Sequence, residues 1–368
     1  MICNSAKQGL IPQRDYFDKY IANSDNTDGY YIIETNDFVY NPRKSTDAPY
    51  GPISSYKYPE AGIVSPLYLC FRAKQEINPL YFEWYFRSSA WHRYIYMSGD
   101  SGARHDRVSI KDETFFAMPI NIPSAQEQDR IALFLNAIEQ RIEKQRSLVE
   151  ALKKYKRGVF EAVFSRKLRL IPKARQSDWT AFKLGDFATR ITRKNNGATD
   201  IPLTISAQYG LIDQRNFFSK VVASSDMSGY YLLRKGEYAY NRSTSNDYPF
   251  GSIKRLELYD EGAVSTLYLC FAIKEDVVLS DYAKWYFESS QWHRAINEIC
   301  AEGARNHGLL NVPTDGFFDT VHILPSDIEE QTQIAAFLSR VHDKLAKAQE
   351  ELNKLIGLRN GLMQQLFI

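Results

Sequence analysis

Cysteine is scarce in this sequence: the four residues are Cys3, Cys70, Cys270 and Cys300, and no two form a Cys-x-x-Cys pair. The scarcity disfavours a disulfide framework or a structural zinc site and fits a reducing cytoplasm. No apolar run approaches the roughly 20 residues that a membrane helix needs. Residues 1–13 also lack the basic and apolar regions of a signal peptide. We therefore expect a cytoplasmic protein that does not enter a membrane.

A strong charge of one sign is also missing. The 46 Lys and Arg residues nearly balance 44 Asp and Glu residues, which leaves a net charge of +2 and a pI near 8.1. A domain that binds nucleic acid through bulk charge typically has a pI above about 9, so the composition by itself does not indicate such a protein. The 368 residues and 44% hydrophobic content fit a folded chain of two to three domains.

Several catalytic signatures are absent from the sequence. It contains neither a Gly-x-Gly-x-x-Gly segment nor a phosphate-binding P-loop. Asn41-Pro42-Arg43 departs at its third residue from the Asn-Pro-Pro-Tyr of adenine methyltransferases, and no carboxylate cluster typical of a metal nuclease is evident. These absences favour a protein without catalysis of its own.

The main feature of the sequence is an internal repeat with a period near 200 residues. Gly29-Tyr30-Tyr31 recurs as Gly229-Tyr230-Tyr231, and the Val64–Phe71 segment recurs at Val264–Phe271. The offset grows from 200 to 203 towards the end of each copy. Such a period is far too long for a solenoid unit. The chain therefore consists of two copies of one domain-sized module.

The first part of each module mixes strand and helix signals. Short runs rich in β-branched and aromatic residues, such as Val64–Phe71, are bounded by Gly and Pro and predict strands. Residues 80–97 and 281–299 predict helices. We expect a compact α/β or α+β globule in each copy.

A long helix is predicted to end each module. It follows Pro123 in the first copy and Pro325 in the second, each followed by a capping box. Apolar residues then recur every seven positions for nearly five heptads, which predicts a coiled coil. The predicted helix interface consists of Ile131, Leu135, Ile138, Ile142, Val149 and Leu152 in the first helix, and of Ile334, Leu338, Val341, Leu345, Leu352 and Leu355 in the second.

The apolar seams of the two helices have the same pattern and should pair with each other. If they pair as an antiparallel coiled coil, a pseudo-twofold axis relates the two globules. Duplex DNA has local twofold symmetry, which proteins that read two half-sites exploit. The predicted segments are a first globule at 1–123, which is short at its N-terminus, a first helix at 124–170, a second globule at 171–325 and a second helix at 326–368.

In each copy the globule is followed by a Pro-x-x-x-Glu-Gln segment or a close variant, called the Pro-Glu-Gln motif below, and then by a long helix. This duplicated order resembles the specificity subunit of type I restriction–modification systems. The matching residues are Pro123, Glu127, Gln128, Ile131, Ala132, Phe134 and Leu135 in the first copy, and Pro325, Glu330, Gln331, Ile334, Ala335, Phe337 and Leu338 in the second. The Gly-Tyr-Tyr-Leu and Tyr-Asn-Arg segments at 229–232 and 240–242 also resemble the target recognition domains of that family. The resemblance covers essentially the whole chain.

The resemblance implies a role in DNA methylation and phage defence in the cytoplasm of a bacterium or archaeon. Each globule would be a target recognition domain that reads one half of a bipartite sequence in double-stranded DNA. The helices would dock two methyltransferase (M) subunits, which bind S-adenosylmethionine and methylate adenine. Restriction (R) subunits, up to two where the system has them, would supply a motor and nuclease that use ATP and Mg. This chain would bind no cofactor or metal and would not be an enzyme.

A different class of protein fits the same architecture. A two-headed structural or assembly protein would hold two globules on a coiled-coil stalk and bind protein ligands through them. Sequence-specific DNA binding separates the two hypotheses.

Matched loops of the two copies carry residue types that read bases in a groove, since Arg pairs with guanine and Asn or Gln with adenine. The candidate DNA-binding residues are Lys7, Gln8, Tyr40, Asn41, Arg43, Lys44, Arg104 and His105 in the first copy, and Gln208, Tyr209, Tyr240, Asn241, Arg242, Ser243, Thr244, Arg305 and His307 in the second. The alternatives are an ordinary surface turn after Tyr40 and Tyr240, packing alone for Tyr209, and structural ion pairs for Arg104 and Arg305.

The two copies differ at their beginnings. The first copy starts at a position equivalent to about Pro202, so it has no counterpart of residues 179–201. We therefore expect the first recognition domain to be the less stable one. Because the copies are otherwise so similar, the two half-sites should be similar too, although residues 42–44 and 242–244 diverge.

Overall fold

The computed structural model describes residues 1–16, 27–99, 106–176, 178–206, 209–217, 226–245, 248–300 and 308–367. The chain forms two compact units. The first consists of residues 1–149 and 348–368, and the second of residues 150–347. Each unit therefore contains part of both long helices.

Short strands and helices build the sheet-rich part of each unit. In the first unit the described residues form β1 (Ile2–Ser5), β2 (Gly9–Pro12), α1 (Gln13–Tyr16), β3 (Tyr31–Ile33), β4 (Phe38–Tyr40), β5 (Ile53–Ser55), β6 (Gly62–Val64), β7 (Leu69–Phe71), α2 (Pro79–Arg87), α3 (His92–Ser98), α4 (Asp112–Phe116) and the start of α5 (Ala125–Phe164). A 3₁₀ turn (Lys173–Arg175) follows α5 in the second unit, which then forms β8 (Thr180–Lys183), α6 (Leu184–Phe187), β9 (Ala188–Ile191), β10 (Leu203–Ser206), β11 (Gly210–Asp213), α7 (Gln214–Phe217), β12 (Tyr231–Arg234), β13 (Tyr238–Asn241), β14 (Ser252–Arg255), β15 (Glu261–Val264), β16 (Leu269–Ile273), α8 (Ser280–Glu288), α9 (His293–Ile299), α10 (Thr314–Asp319), β17 (Val321–Leu324) and the start of α11 (Ile328–Leu366).

Antiparallel pairing organises the described strands of both units. The first unit has β1 with β2, β3 with β6, and a sheet in the order β5-β4-β7. The second unit repeats these as β10 with β11, β12 with β15, and β14-β13-β16. It adds β9 beside β16 and pairs β8 with β17. Antiparallel sheets with separate helices make each unit α+β.

The same aromatic core fills both units. Tyr40 on β4 stacks on Phe115 of α4 with ring centroids 5.1 Å apart, and Tyr240 stacks on Phe317 at 5.2 Å. The buried Trp91 donates its indole N–H to a backbone carbonyl at 2.9 Å, and the equivalent tryptophan of the second unit does so at 3.0 Å. The sheet-rich part of each unit is therefore one copy of the repeated globule, folded around equivalent rings.

The two long helices pair antiparallel within each unit. In the first unit, Arg359 on α11 donates to Glu139 on α5 at 2.8 Å, and Gln145 donates to the Ala348 carbonyl at 2.8 Å. In the second, Lys156 on α5 lies 3.2 Å from the His342 ring.

Most of the predicted seam residues are buried along these helices, and Ile131, Ile138 and Leu345 are partly buried. The predicted duplicated fold, with a long helix after each globule, is confirmed.

The glutamine of the Pro-Glu-Gln motif ties each long helix to its globule. Gln128 accepts a hydrogen bond from the backbone N–H of Asn78, the N-cap of α2, and donates to the Pro123 carbonyl, both at 3.0 Å. Gln331 makes the same two bonds in the second unit, at 2.7 and 2.9 Å. Both side chains are buried, so these bonds set where the helix leaves the globule.

The motif's glutamate behaves differently in the two copies. Glu330 is completely buried and accepts two hydrogen bonds from the Arg169 guanidinium, at 2.5 and 2.8 Å, and one from the Trp179 indole at 3.3 Å. Its counterpart Glu127 is exposed. The buried pair joins the segment after α5 to the start of α11 within the second unit.

We predict that Glu330→Ala destabilises the second unit by about 3 kcal/mol, the low end for breaking a buried ion pair, because Arg169 keeps some contact with solvent. The matched control, Glu127→Ala, should stay within about 0.5 kcal/mol of the parent since its side chain is exposed. Urea unfolding followed by circular dichroism measures both. Equal shifts for the two variants would contradict this account.

Candidate nucleic-acid interface

A cleft of about 670 Å³ lies between the β1–β2 hairpin and the loop after β4 in the first unit. Four of its lining residues are cationic: Lys7, Arg43, Lys44 and Arg107. We call this site the basic cleft. The structure thus brings together four of the predicted candidates, the three cations Lys7, Arg43 and Lys44 and also Asn41, and adds Arg107, which the sequence reasoning missed.

Backbone pairing places the arginines of the basic cleft side by side. Lys44 N donates to the Asp106 carbonyl at 2.8 Å, and Arg43 lies opposite Arg107 in an antiparallel bridge. Two cations more than 60 positions apart in the sequence therefore occupy neighbouring places on one wall. The only sequence signal for Arg107 was its position just after the predicted contact loop at 102–105.

The hairpin turn supplies the opposite wall. The Ser5 hydroxyl accepts hydrogen bonds from the backbone N–H groups of Lys7 and Gln8, at 3.3 and 3.4 Å. The Lys7 side chain is 75% exposed and lies 3.4 Å from Asp47, which also lines the cleft. An exposed ion pair of this kind contributes about 0–1 kcal/mol to stability. A phosphate group can therefore replace the Asp47 carboxylate beside Lys7.

Tyr40 and Tyr240 lie beneath the loops rather than on their surfaces. Tyr40 donates its phenol hydrogen to the Tyr50 carbonyl at 2.8 Å, and Tyr240 donates to the Phe250 carbonyl at the same distance. Burial raises the pKa of both phenols well above their usual range, so both stay protonated donors. They support the ends of the candidate loops from inside the core.

The asparagines that follow these tyrosines shape the loops. The Asn41 side-chain oxygen accepts from Arg43 N at 3.1 Å, and the Asn241 oxygen accepts from Ser243 N at 3.0 Å, which is the geometry of an Asx turn. Gly51 closes the first loop at φ +83°, and a Cβ there would collide with the Asn41 carbonyl. The asparagines therefore orient the residues after them.

The equivalent positions of the second copy are not cationic. The positions of Lys7, Arg43, Lys44 and Arg107 are held there by Gln208, Ser243, Thr244 and Leu309. Ser243 lies opposite Leu309 in the same antiparallel bridge, and the Thr244 hydroxyl donates to the Gly308 carbonyl at 3.2 Å. The backbone pairing of this bridge is repeated, whereas the charge of its residues is not.

The Arg242 side chain is held by hydrogen bonds within the protein. Its guanidinium donates to the Leu267 carbonyl at 2.9 Å and to the Val312 carbonyl at 3.3 Å. It occupies the position of Pro42 in the first copy and braces two neighbouring segments.

The remaining candidates divide into two groups. Gln8 and Tyr209 are exposed on their hairpin turns. The candidates Arg104, His105, Gln208, Arg305 and His307 lie outside the residues that the structure describes.

An N-terminal part of the chain matches a known family. Residues 6–151 match the family model described as "Type I restriction modification DNA specificity domain". The chain carries a type I restriction–modification specificity domain. The resemblance seen in the sequence is thereby confirmed, and all four residues of the basic cleft lie within the matched part of that specificity domain.

Solved structures with a similar fold extend over nearly the whole chain. An S subunit of a type I restriction–modification system from M. genitalium is 15% identical, with a TM-score of 0.51, and the match covers 95% of this chain and 87% of that one. A chain from a structure described as the "structural basis underlying complex assembly and conformational transition of the type I R-M system" is 16% identical, with a TM-score of 0.53 over 91% of this chain and 82% of that one. At this identity the likeness shows the fold alone. No curated protein sequence matches the chain.

Two further features of the described residues concern membranes and metals. Every helix in this part of the chain is either too short or too polar to cross a membrane. No three His, Cys, Asp or Glu side chains among the same residues form a group that could hold a metal ion.

We predict opposite outcomes for Arg43 and Arg242, which lie in equivalent loops of the two units. Arg242→Ala should lower the stability of the second unit by about 2 kcal/mol, because it removes charged donors from two carbonyls. Arg43→Ala should change stability by less than about 0.5 kcal/mol, since its side chain is exposed. Thermal unfolding of the two variants tests the pair. An unchanged melting temperature for Arg242→Ala would instead favour contact of Arg242 with a base. Such a contact is measured as a loss of binding affinity that is confined to one base position of the target.

Proposed function

We propose that this chain is the DNA-recognition subunit of a type I restriction–modification complex and that each unit reads one half of a bipartite target. The observation that carries the proposal is the basic cleft, whose four cations all lie within the matched specificity domain. The recurrence of the same fold in the second unit supports a second reader.

Phosphate binding is the chemistry that the basic cleft fits best. DNA-binding proteins gain most of their affinity by neutralising phosphates with Lys and Arg and releasing counterions. The Arg43 and Lys44 side chains are exposed, and the nearby acid, Asp47, holds Lys7 only through a solvent-exposed pair. The first unit would therefore contribute a large share of the salt-dependent affinity.

The second unit would read its half-site with neutral groups. At the positions equivalent to the four cations its sequence has Gln208, Ser243, Thr244 and Leu309. Hydrogen bonds from such groups to base edges depend little on salt and strongly on sequence. The two half-sites should therefore differ more than the overall similarity of the copies suggests.

The long helices would dock the methyltransferase subunits. Both helices carry large apolar side chains that the chain itself leaves exposed, among them Leu133, Phe134, Leu148 and Leu358. Exposed apolar groups on a polar helix are typical of protein–protein contacts. Two M subunits bound there would hold S-adenosylmethionine and methylate adenine, and R subunits would bring ATP, Mg and nuclease activity, while this chain would supply recognition alone.

Methylation mapping tests the proposed function directly. The chain is co-expressed with its methyltransferase partner in a host without DNA methylation, and the methylome is sequenced with long reads. We expect methyladenine in both halves of one bipartite motif. A motif with a single defined half would leave one unit without a reading role. If the complex forms but methylates nothing, the recognition proposal fails and a two-headed assembly protein becomes the better account.

A charge-swap variant tests the basic cleft separately. Lys7→Gln, Arg43→Ser, Lys44→Thr and Arg107→Leu together convert the basic cleft to the residues of the second unit. The slope of log affinity against log salt should fall by about 0.9 for each phosphate that the variant no longer neutralises, so by up to about 3–4.

The matched control for this variant removes the same charge elsewhere. It changes Lys111, Lys235, Lys344 and Lys347, all exposed and outside the basic cleft, to Gln. DNA binding by the complex is measured by fluorescence anisotropy over a salt series. If the two variants show the same salt slope, the cleft has no special role in binding phosphate.

A further inference from the structure

Five consecutive residues are identical in the two copies, at Leu67–Phe71 and at Leu267–Phe271. They form the end of a turn and the strand β7 in the first unit, and the end of the equivalent turn and the start of β16 in the second. The phenylalanine that ends each segment stacks on an aromatic ring of the neighbouring strand, with centroids 5.5 Å apart in the first unit and 5.3 Å apart in the second. Packing of the core therefore explains the strand part of the segment, but not the leucine that opens it.

The leucine stands on a turn that is closed in the same way in both units. The Ser65 hydroxyl accepts from Leu67 N at 3.3 Å, and the Ser65 carbonyl accepts from Tyr68 N at 3.1 Å. The second unit has both bonds at the same distances, with Ser265 as the acceptor. The leucine is thus the third residue of a β-turn that its own backbone holds in place.

The turn separates its two large side chains. Tyr68 and Tyr268 are partly buried and pack against the hydrophobic core of their own unit. Leu67 and Leu267 are both 61% exposed. In each unit the tyrosine therefore anchors the turn, while the leucine before it faces solvent.

This equal exposure is unlike that of other apolar positions in the two globules. Ile32 is 72% exposed, whereas the equivalent Leu232 is buried. Phe116 is 59% exposed, whereas the equivalent Phe318 is partly buried against a core. An apolar side chain that stays in water gains free energy when a ligand covers it, and the matched leucines offer such a gain at the same place in both units.

The surroundings of the leucines indicate what would cover them. Leu67 lines the basic cleft together with its four cations. In the second unit the Leu267 carbonyl accepts from Arg242 at 2.9 Å, so the turn is tied to the loop after β13. Each leucine therefore accompanies the loop that we assign to DNA. A ligand with an anionic backbone and an apolar group fits this combination of side chains.

Thymine is the base that fits a leucine best. It is the one DNA base that presents an apolar group, its C5 methyl, in the major groove. A leucine side chain has neither a donor nor an acceptor, so it distinguishes bases only through apolar contact. Cytosine offers an amino donor in the major groove, which the leucine would leave unpaired.

We propose that Leu67 and Leu267 each contact the methyl group of one thymine in the half-site that their unit reads. This inference rests on the proposed function, since it assumes that each unit reads DNA. It adds a specific feature: the two half-sites share a thymine at equivalent places, although the basic cleft has no cationic counterpart in the sequence of the second copy.

Deoxyuridine tests the proposal because it differs from thymidine only by the missing methyl group. The complex with the methyltransferase partner is titrated by fluorescence anisotropy with duplexes of the mapped motif, in which each thymine of both strands is replaced in turn. We expect one sensitive position in each half, where the replacement weakens binding about fourfold, the value of one buried methyl group.

Two leucine variants assign these positions. Leu67→Ala should remove the methyl effect in one half of the motif, and Leu267→Ala should remove it in the other half. Neither variant should lower the melting temperature, since both side chains are exposed. The matched control is Leu258→Ala, which removes a leucine that is 64% exposed elsewhere in the second unit and should keep both methyl effects.

Failure of this inference can be told apart from failure of the proposed function. Sequence-specific binding in which no thymine methyl matters would overturn the leucine contacts alone, and so would methyl effects that persist in both leucine variants. A leucine variant that loses affinity equally on every sequence would assign the side chain to the DNA backbone, which also contradicts the proposal. A complex that binds the mapped motif no better than scrambled DNA would overturn the proposed function and this inference with it.

Discussion

The hydrogen bond from a buried tyrosine to the far side of its own loop is the contact on which each unit depends. Tyr40 stacks on Phe115 and donates to the Tyr50 carbonyl, so the end of the central strand, α4 and the end of the candidate loop meet at one ring. Because the loop is held at both ends, Arg43 and Lys44 project from a fixed base. Tyr240 builds the same arrangement from the same chemistry.

A second constraint links this core to the long helices. Gln128 and Gln331 each accept from a backbone N–H at the start of a globular helix and donate to the carbonyl of the proline before the long helix. A buried glutamine that satisfies two backbone groups at once is costly to replace, because any substitute leaves at least one of them unpaired. The motif therefore has a structural explanation that holds in both copies.

Duplication kept the backbone and changed the surface. The paired tyrosines, Asx turns and antiparallel bridges recur in both units, whereas the cations of the basic cleft do not. Buried rings have many neighbours and tolerate little change in shape. An exposed side chain on a fixed loop can change its charge at small cost in stability. One scaffold can in this way hold two surfaces of different chemistry.

The sequence by itself determined the duplication, both long helices and their apolar seams, because those features follow from repeats and periodicities that lie along the chain. It left α/β and α+β open for the globules, and the antiparallel pairing of the strands decided α+β. It also located the loops after Tyr40 and Tyr240. It could not separate the roles of their residues, since an asparagine that shapes a turn and an arginine that faces solvent stand next to each other in sequence. Only the tertiary structure decided that the tyrosines are core, that Arg242 braces carbonyls and that Arg107 joins Arg43. Each of those outcomes depends on contacts between segments 10 to 70 residues apart, and such contacts leave no local pattern.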